Sequence, residues 1–259
     1  MCRGTPKIPY EVSVATATLA CMEMIDALIK QVSSGERVKF LPFWGHRPRP
    51  DGSLGPSCLS QWWPSAFTVG DVRYATAEHW MMAGKARLFG DAEAERAALE
   101  ATSPAAAKKA GRLVRGFDDA LWERERYALV VEGSVHKFGS DPALRAYLLG
   151  TGERVLVEAS PMDRIWGIGL GADDERALDP ARWRGLNLLG FALMEARERL
   201  RADARSAAER EMSRAAGMSA GRDRIDALVV PLPPLISWSG RDSILNRRCF
   251  FSPFLFLVL

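Results

Sequence analysis

Between residues 154 and 171 the chain reads RVLVEASPMDRIWGIGLG, so two carboxylates, an indole and alternating glycines follow directly on an apolar run. Val155 to Val157 has the character of a buried strand, which puts Glu158 and Asp163 on a loop at a strand end. Glycines there let backbone approach a ligand, and Trp166 offers a flat face. Carboxylates beside an aromatic platform suit a sugar joined to a base. An acid stabilises a developing oxocarbenium ion or activates water, while an indole stacks on the ring. Gly167, Gly169 and Ala172 also fit the loose dinucleotide pattern G-x-G-x-x-A. That fold needs its glycines directly between a strand and a long helix. Here a polar-to-mixed stretch separates the strand from Gly167, so the dinucleotide fold is rejected.

Three further groupings carry chemistry of lower specificity. Glu78 and Lys85 share a face of one helix, with Glu78 in the first turn, where the helix dipole favours an ionised carboxylate. A capped surface helix would look the same, but the neighbouring HWMM reads as buried, and a carboxylate among buried aromatics needs a partner or a task. Lys108, Arg112 and Arg115 form a basic line that could meet a phosphate, although a solvated face is the commoner cause of such spacing. Trp122 and Arg126 lie one turn apart, a stacking pair or a core anchor with a neighbour. His46, His79 and His136 are too dispersed to read as a metal site, and no Ser-His-Asp order, H-E-x-x-H helix or Walker loop is present.

The elements that must position these residues alternate along the body of the chain. RVKFLPFW reads as a strand, and Phe67 to Tyr74 as a hairpin turned at Gly70-Asp71. Thr76 is a candidate N-cap for a helix through TAEHWMMAGKARLF, and Ser103-Pro104 starts another. DDALWERERYALVVEGSVHKF and DPALRAYLLG read as helices. The last clear helix, LNLLGFALMEARERLR, sets Leu189, Leu193, Ala196 and Leu200 on one face. Many helices and few short strands predict a mainly helical α+β domain over residues 37–202. Residues 1–36 read as an extension, with Leu19, Met22, Ile25 and Ile29 near helical spacing. Residues 203–259 read as a tail, partly disordered, containing the Pro-rich PLPPL. Both flanks are expected to be dispensable to the body.

Composition bounds the class. The 259 residues are 47% hydrophobic and 26% charged, as in an ordinary soluble globular protein, and the net charge of +3 does not by itself imply a nucleic-acid binder. Four scattered cysteines without a C-x-x-C pair argue against a disulfide framework or a structural zinc site and fit reduced thiols in a cytoplasmic protein. No apolar run approaches the roughly 20 residues that span a bilayer. No membrane association is expected.

Taken together, SQWWPSAFTVGDVRYATAEHWMMAGKARLFGD, AKKAGRLVRGFDDALWERERY, KFGSDPALRAYLLGTGERVLVEASPMDRIWGIGL and WRGLNLLGFALMEARERL resemble the NADAR family, also called YbiA-like or riboflavin-biosynthesis-intermediates N-glycosidases. The resemblance covers about residues 38 to 202 and preserves order and spacing. It implies a compact YbiA-like fold and hydrolysis of an N-glycosidic bond without metal or cofactor. Family members cleave phosphoribosylamino-pyrimidine intermediates of riboflavin synthesis, and others remove ADP-ribose from modified guanine. The family's acid in T-x-E-H falls on Glu78, its helix lysine on Lys85, its tryptophan on Trp122, and its D-x-x-W-G segment on Asp163, Trp166 and Gly167. The expectation is that Glu78 and Asp163 are catalytic, that Trp122, Trp166 and Gly167 hold base or ribose, and that Lys85 and Arg112 meet phosphate. The substrate expected is a small nucleotide-like N-glycoside. The alternatives are an ADP-ribosylated guanine, for which Arg47, Arg49, Trp62 and Trp63 of the loop before the hairpin could line a wider cleft, or binding of ADP-ribose without cleavage.

Overall fold

Side-chain caps set most of the helix starts. A computed structural model describes the backbone over residues 17–226 and the side chains over residues 21–214. In chain order it holds α1 (Ala17–Ser33), β1 (Phe40–Phe43), β2 (Phe67–Val69), β3 (Val72–Tyr74), α2 (Ala77–Leu88), α3 (Ala92–Leu99), α4 (Pro104–Arg112), α5 (Asp119–Ser140), α6 (Pro142–Gly150), β4 (Val155–Glu158) and α7 (Leu188–Asp226). This is the mainly helical α+β class expected. Thr76 caps α2 by accepting from the His79 amide, Ser103 caps α4 from Ala106, and Asp141 caps α6 from Ala143 and Leu144. Each cap satisfies first-turn amides that have no partner within the helix. The hairpin forms as β2–β3, with Phe67 opposite Tyr74. Helix α3 has no counterpart in the sequence reading. Its run AEAERAAL is short and Ala-rich, and the Asp91 side chain, accepting from Ala94, starts it.

Helix α2 is the hub and packs against α3, α4 and α5. Every residue from Ala77 to Gly84 is buried, as the HWMM stretch implied. Strand β4 pairs in parallel with β1, with Phe40 opposite Val155 and Phe43 opposite Glu158. Alternation along β4 turns Leu156 into one core cluster, with Phe43, Leu189 and Leu193, and turns Val155 and Val157 into a second, with Ile168, Leu188 and Phe191. Glu158 therefore leaves at the carboxyl end of a parallel pair, where backbone and loops open toward ligands in α/β folds.

The second cluster also takes in α1. Cys21 and Leu28 are buried, Met24 and Ile25 pack beside them, and Met22, expected on the apolar face, is 50% exposed. The buried stripe thus runs through Cys21, Met24 or Ile25, and Leu28; the Leu19 side chain lies outside the described residues. A boundary at residue 37 cuts through packed structure. The unit containing these elements extends to Glu209, and α7 continues into a second unit beginning at Arg210, where residues 210–214 are exposed. The helix covers the start of the expected tail, while PLPPL and the expected disorder beyond residue 226 lie outside the described residues. Among the described residues no helix is long and apolar enough to cross a membrane.

One buried cation organises the loop before the hairpin. Lys137 of α5 is 1% exposed and donates to the Cys58 carbonyl at 2.6 Å and the Ser60 carbonyl at 2.7 Å. Burial pushes its ammonium down to about 7. These bonds pin the turn Pro56–Leu59, and with it the segment that carries Trp62.

Two outcomes follow from this packing. Removing residues 1–36 exposes Val155, Val157 and Ile168 and should cost on the order of 3 kcal/mol; equal thermal midpoints for the full and shortened chains would refute the contribution of α1. Lys137→Ala leaves the Cys58 and Ser60 carbonyls buried without donors and should destabilise by about 2–4 kcal/mol, read by urea unfolding at pH 8.

Candidate active site

A cavity of about 320 Å³ opens where the loop after β4 meets α2, α4 and the start of α5. Helix α2 supplies Met81, Met82 and Lys85 to its wall, and α4 supplies Lys108, Gly111 and Arg112. Trp122 enters from α5, and Asp163, Ile165 and Trp166 from the loop. A Cβ at Gly111 would collide with the Met82 sulfur, so the absent side chain lets α4 lie close on α2 at this wall. Five residues singled out in the sequence, Lys85, Arg112, Trp122, Asp163 and Trp166, are brought together here. Glu78 and Gly167 are not on the wall.

The loop is held by backbone. Asp163 Oδ1 accepts from the Ile165 amide at 2.9 Å and the Trp166 amide at 2.8 Å, which aims Trp166. The carbonyls of Ile165, Trp166 and Gly167 accept from the amides of Leu188, Leu189 and Asn187 at the start of α7. Asn187, fully buried with φ of 53°, donates its amide group to the Leu156 carbonyl and accepts from the Glu158 amide, both at 2.9 Å. It thereby replaces the strand neighbour that β4 lacks on that side, and the left-handed backbone at a non-glycine residue is tolerated within this bonding. A Cβ at Gly167 would lie 2.8 Å from the Glu158 carbonyl oxygen and 3.1 Å from that of Asp163. Gly167 therefore permits close backbone packing behind the cavity. It does not present backbone to a ligand at the wall, as expected from the sequence.

Glu78 lies in the first turn of α2 and is 2% exposed. Its amide donates to the Gln61 carbonyl, the Trp62 side chain hydrogen-bonds its carboxyl group, and Oε1 is buried without a partner. Burial raises its pKa to about 7; Lys108 and the Trp62 hydrogen bond oppose that rise, Asp163 adds to it, and Arg112 opposes it. Glu78 is thus coupled to the wall residues without lining the wall. Lys85 sits in an aromatic corner, 4.1 Å from the Phe117 ring centre and 5.4 Å from that of Trp122. Burial lowers its pKa, against the pull of Asp119.

The structure adds residues not assigned from the sequence. Lys108, read there as part of a solvated basic line, faces the cavity with its Nζ 6.0 Å from the Trp62 ring centre. Its spacing of one turn before Arg112 was the available signal. Arg115, at the end of that line, pairs instead with Asp91 at 2.7 Å and Glu93 at 3.1 Å. Of the loop residues offered for a wider cleft, none lines the cavity: Trp62, with His46 beside it at 5.5 Å, meets Glu78 and Lys108, Trp63 is in the core, and Arg47 and Arg49 are exposed. Glu158, within the stretch that drew attention first, has a buried Oε2 without a partner. Its pKa rises to about 8 through burial, then through Asp163 and Glu78, with Lys108 opposing. Among the described residues no three His, Cys, Asp or Glu side chains converge closely enough to hold a metal ion. Carboxyl groups titrating near neutrality, cations and indole faces can together move protons at a sugar–base bond and hold a phosphate.

Known proteins resemble this chain in sequence and in fold. Residues 43–201 match the NADAR domain. An N-glycosidase of Acanthamoeba polyphaga mimivirus is 41% identical over 149 residues, covering 56% of this chain and 88% of that protein. The chloroplastic riboflavin biosynthesis protein PYRR of Zea mays is 32% identical over 134 residues, covering 49% of this chain and 20% of that protein. The NMR structure of Escherichia coli YbiA superposes with a TM-score of 0.52 at 26% identity, over 65% of this chain and 88% of that one. The fold and the matched span lead to one assignment: the chain belongs to the NADAR domain family, a family that includes N-glycosidases.

Proposed function

We propose that this N-glycosidase hydrolyses the C1–N bond between a ribose 5-phosphate unit and an amino-pyrimidine, an intermediate of riboflavin synthesis. The observation that carries the reading is one cavity with Asp163, Lys108, Arg112, Trp122 and Trp166 on its wall and Glu78 coupled to them. Its volume of about 320 Å³ suits a mononucleotide-sized ligand. Lys108 and Arg112 bind the phosphate, and Trp122 and Trp166 hold the planar base. Asp163 has Oδ1 committed to the loop, which leaves Oδ2 to stabilise the ribosyl cation as the C1–N bond lengthens. Ionised Glu78, behind the wall, takes a proton from the attacking water through one intervening water as the water oxygen bonds to C1, and the same relay returns a proton to the departing nitrogen. The products are ribose 5-phosphate and the free amino-pyrimidine. The maize relative, named for riboflavin biosynthesis, supports this substrate class. Buried free thiols at Cys21 and Cys58 support a reducing, cytoplasmic setting.

A second substrate, ADP-ribosylated guanine, draws support from the mouth of the cavity. Ile165 on the wall is 44% exposed, and Phe117 beside Lys85 is 41% exposed, so apolar surface is offered to a larger ligand. Offering the purified chain both substrates in parallel decides: cleavage of the ADP-ribosyl substrate alone overturns the pyrimidine reading, and tight ADP-ribose binding without base release overturns hydrolysis.

Asp163→Asn and Glu78→Gln should each lower kcat/KM by about 10²-fold or more; two folded, fully active variants would overturn the assignment. Lys108→Ala with Arg112→Ala should raise KM for the phosphorylated substrate about tenfold or more, with little change for its dephosphorylated analogue. Stability reports on Glu78 separately. Its pKa is raised from 4.5 to about 7 on folding, so its contribution is full below 4.5 and lost as pH rises through about 7. Glu78→Gln should therefore raise the thermal midpoint at pH 8 relative to the parent chain and leave it nearly unchanged at pH 4; a midpoint lowered at pH 8 would contradict this sign.

A further inference from the structure

We propose that Glu158 is a positioning residue of this centre, a carboxyl group that must stay protonated for Glu78 and Asp163 to act. The activity arm of the proposal rests on the hydrolysis described above; the structural arm does not.

The backbone of Glu158 is fixed on every side. Its amide donates to Asn187 Oδ1 at 2.9 Å, its carbonyl accepts from Ser160 and Ile168 at 2.9 Å each, and Gly167 is packed against that carbonyl. As the last residue of β4, opposite Phe43, it cannot withdraw without breaking the parallel pair. Its Oε2 is buried and has no hydrogen-bond partner in the protein. The charged groups that act on it are Asp163 from the loop, Glu78 from α2 and Lys108 from α4. From β1 and the start of α7 come Phe43 and Asn187, neither of which titrates. Toward Glu158 one cation, Lys108, thus stands against two neighbouring carboxyl groups, and Lys108 is shared with Glu78.

That arithmetic sets the protonation pattern. Glu78 has the hydrogen bond from Trp62 and the fields of Lys108 and Arg112, so it is the buried acid better able to hold a charge. Glu158 has only Lys108 in its favour. An ionised Glu158 would set a third negative charge into a buried site, raise Glu78 in turn and lose the O–H donor that orders the pair. A protonated Glu158 instead offers an O–H donor to a neighbouring carboxylate or to a water in the cavity, which orders the pair and leaves Glu78 as the base. No bond to substrate forms at Glu158.

The test uses the full chain. Carbon-13 NMR of glutamate carboxyl groups, without substrate, should show a resonance with a midpoint near 8 that disappears in Glu158→Gln. In Asp163→Asn the same midpoint should move toward 4.5, a readout independent of catalysis. In activity, kcat/KM of the parent chain should fall above about pH 8, approaching tenfold per pH unit. Glu158→Gln, neutral at every pH, should stay within about threefold of the parent at pH 7 and hold its plateau beyond pH 9. A resonance titrating near 4.5, an unchanged alkaline limb in Glu158→Gln, or a folded Glu158→Gln that has lost activity at pH 7 each overturns the proposal. A midpoint near 8 with no turnover of the pyrimidine substrate supports Glu158 as described and counts against the substrate reading instead.

Discussion

Glu78 in the first turn of α2 is a carboxyl group almost wholly removed from water, and much of the surrounding fold compensates for that placement. An isolated buried carboxylate is costly enough that it normally takes up a proton unless cations or donors oppose this. Here Trp62, Lys108 and Arg112 supply the opposition and leave the group poised near neutrality. Each depends on a different element. Trp62 is carried by a segment that Lys137 ties down from α5, and the two cations come from one face of α4. Loosening any of these contacts changes the charge on Glu78.

The opposite wall is built by different means. Among the described residues strand β4 has a single strand neighbour, and Asn187 satisfies its other edge with one side chain. The first amides of α7 meet the carbonyls of the loop that bears Asp163 and Trp166, so a helix start and a loop satisfy each other. The loop is thus held by protein hydrogen bonds alone. The arrangement carries a thermodynamic cost, because raised carboxyl groups at Glu78 and Glu158 weaken the fold as pH rises. Stability is given up where chemistry needs it, a pattern common at active sites.

Local chemistry made much of this legible in the sequence. Thr76, Ser103-Pro104 and Asp141-Pro142 announce helix starts because caps act over three or four residues, and all three start helices. The stripe Leu189, Leu193, Ala196 and Leu200 is buried as its spacing implied. The resemblance located four wall residues, Lys85, Trp122, Asp163 and Trp166, on α2, α5 and the loop after β4. What escaped depends on long-range packing. The parallel pairing of β1 with β4 joins distant segments, α3 is an Ala-rich run without an apolar stripe, and α1 is packed by α5 and the turn at Pro180–Arg182. Lys108 looks like any lysine on a solvated face until Trp62 and Glu78 are brought opposite it. Lys137 bears no mark of burial, since its partners are backbone carbonyls far away in the chain.

The central claim is that the sugar–base bond lies between Asp163 and Glu78 while the phosphate lies at α4. A crystal structure of the full chain with ribose 5-phosphate tests it most directly. The account predicts C1 facing Asp163 Oδ2 and the phosphate within hydrogen-bond distance of Lys108 and Arg112. A sugar bound in the reverse direction, with its phosphate toward the Trp166 loop, or bound in the hollow between Asp91 and Arg115, would contradict it.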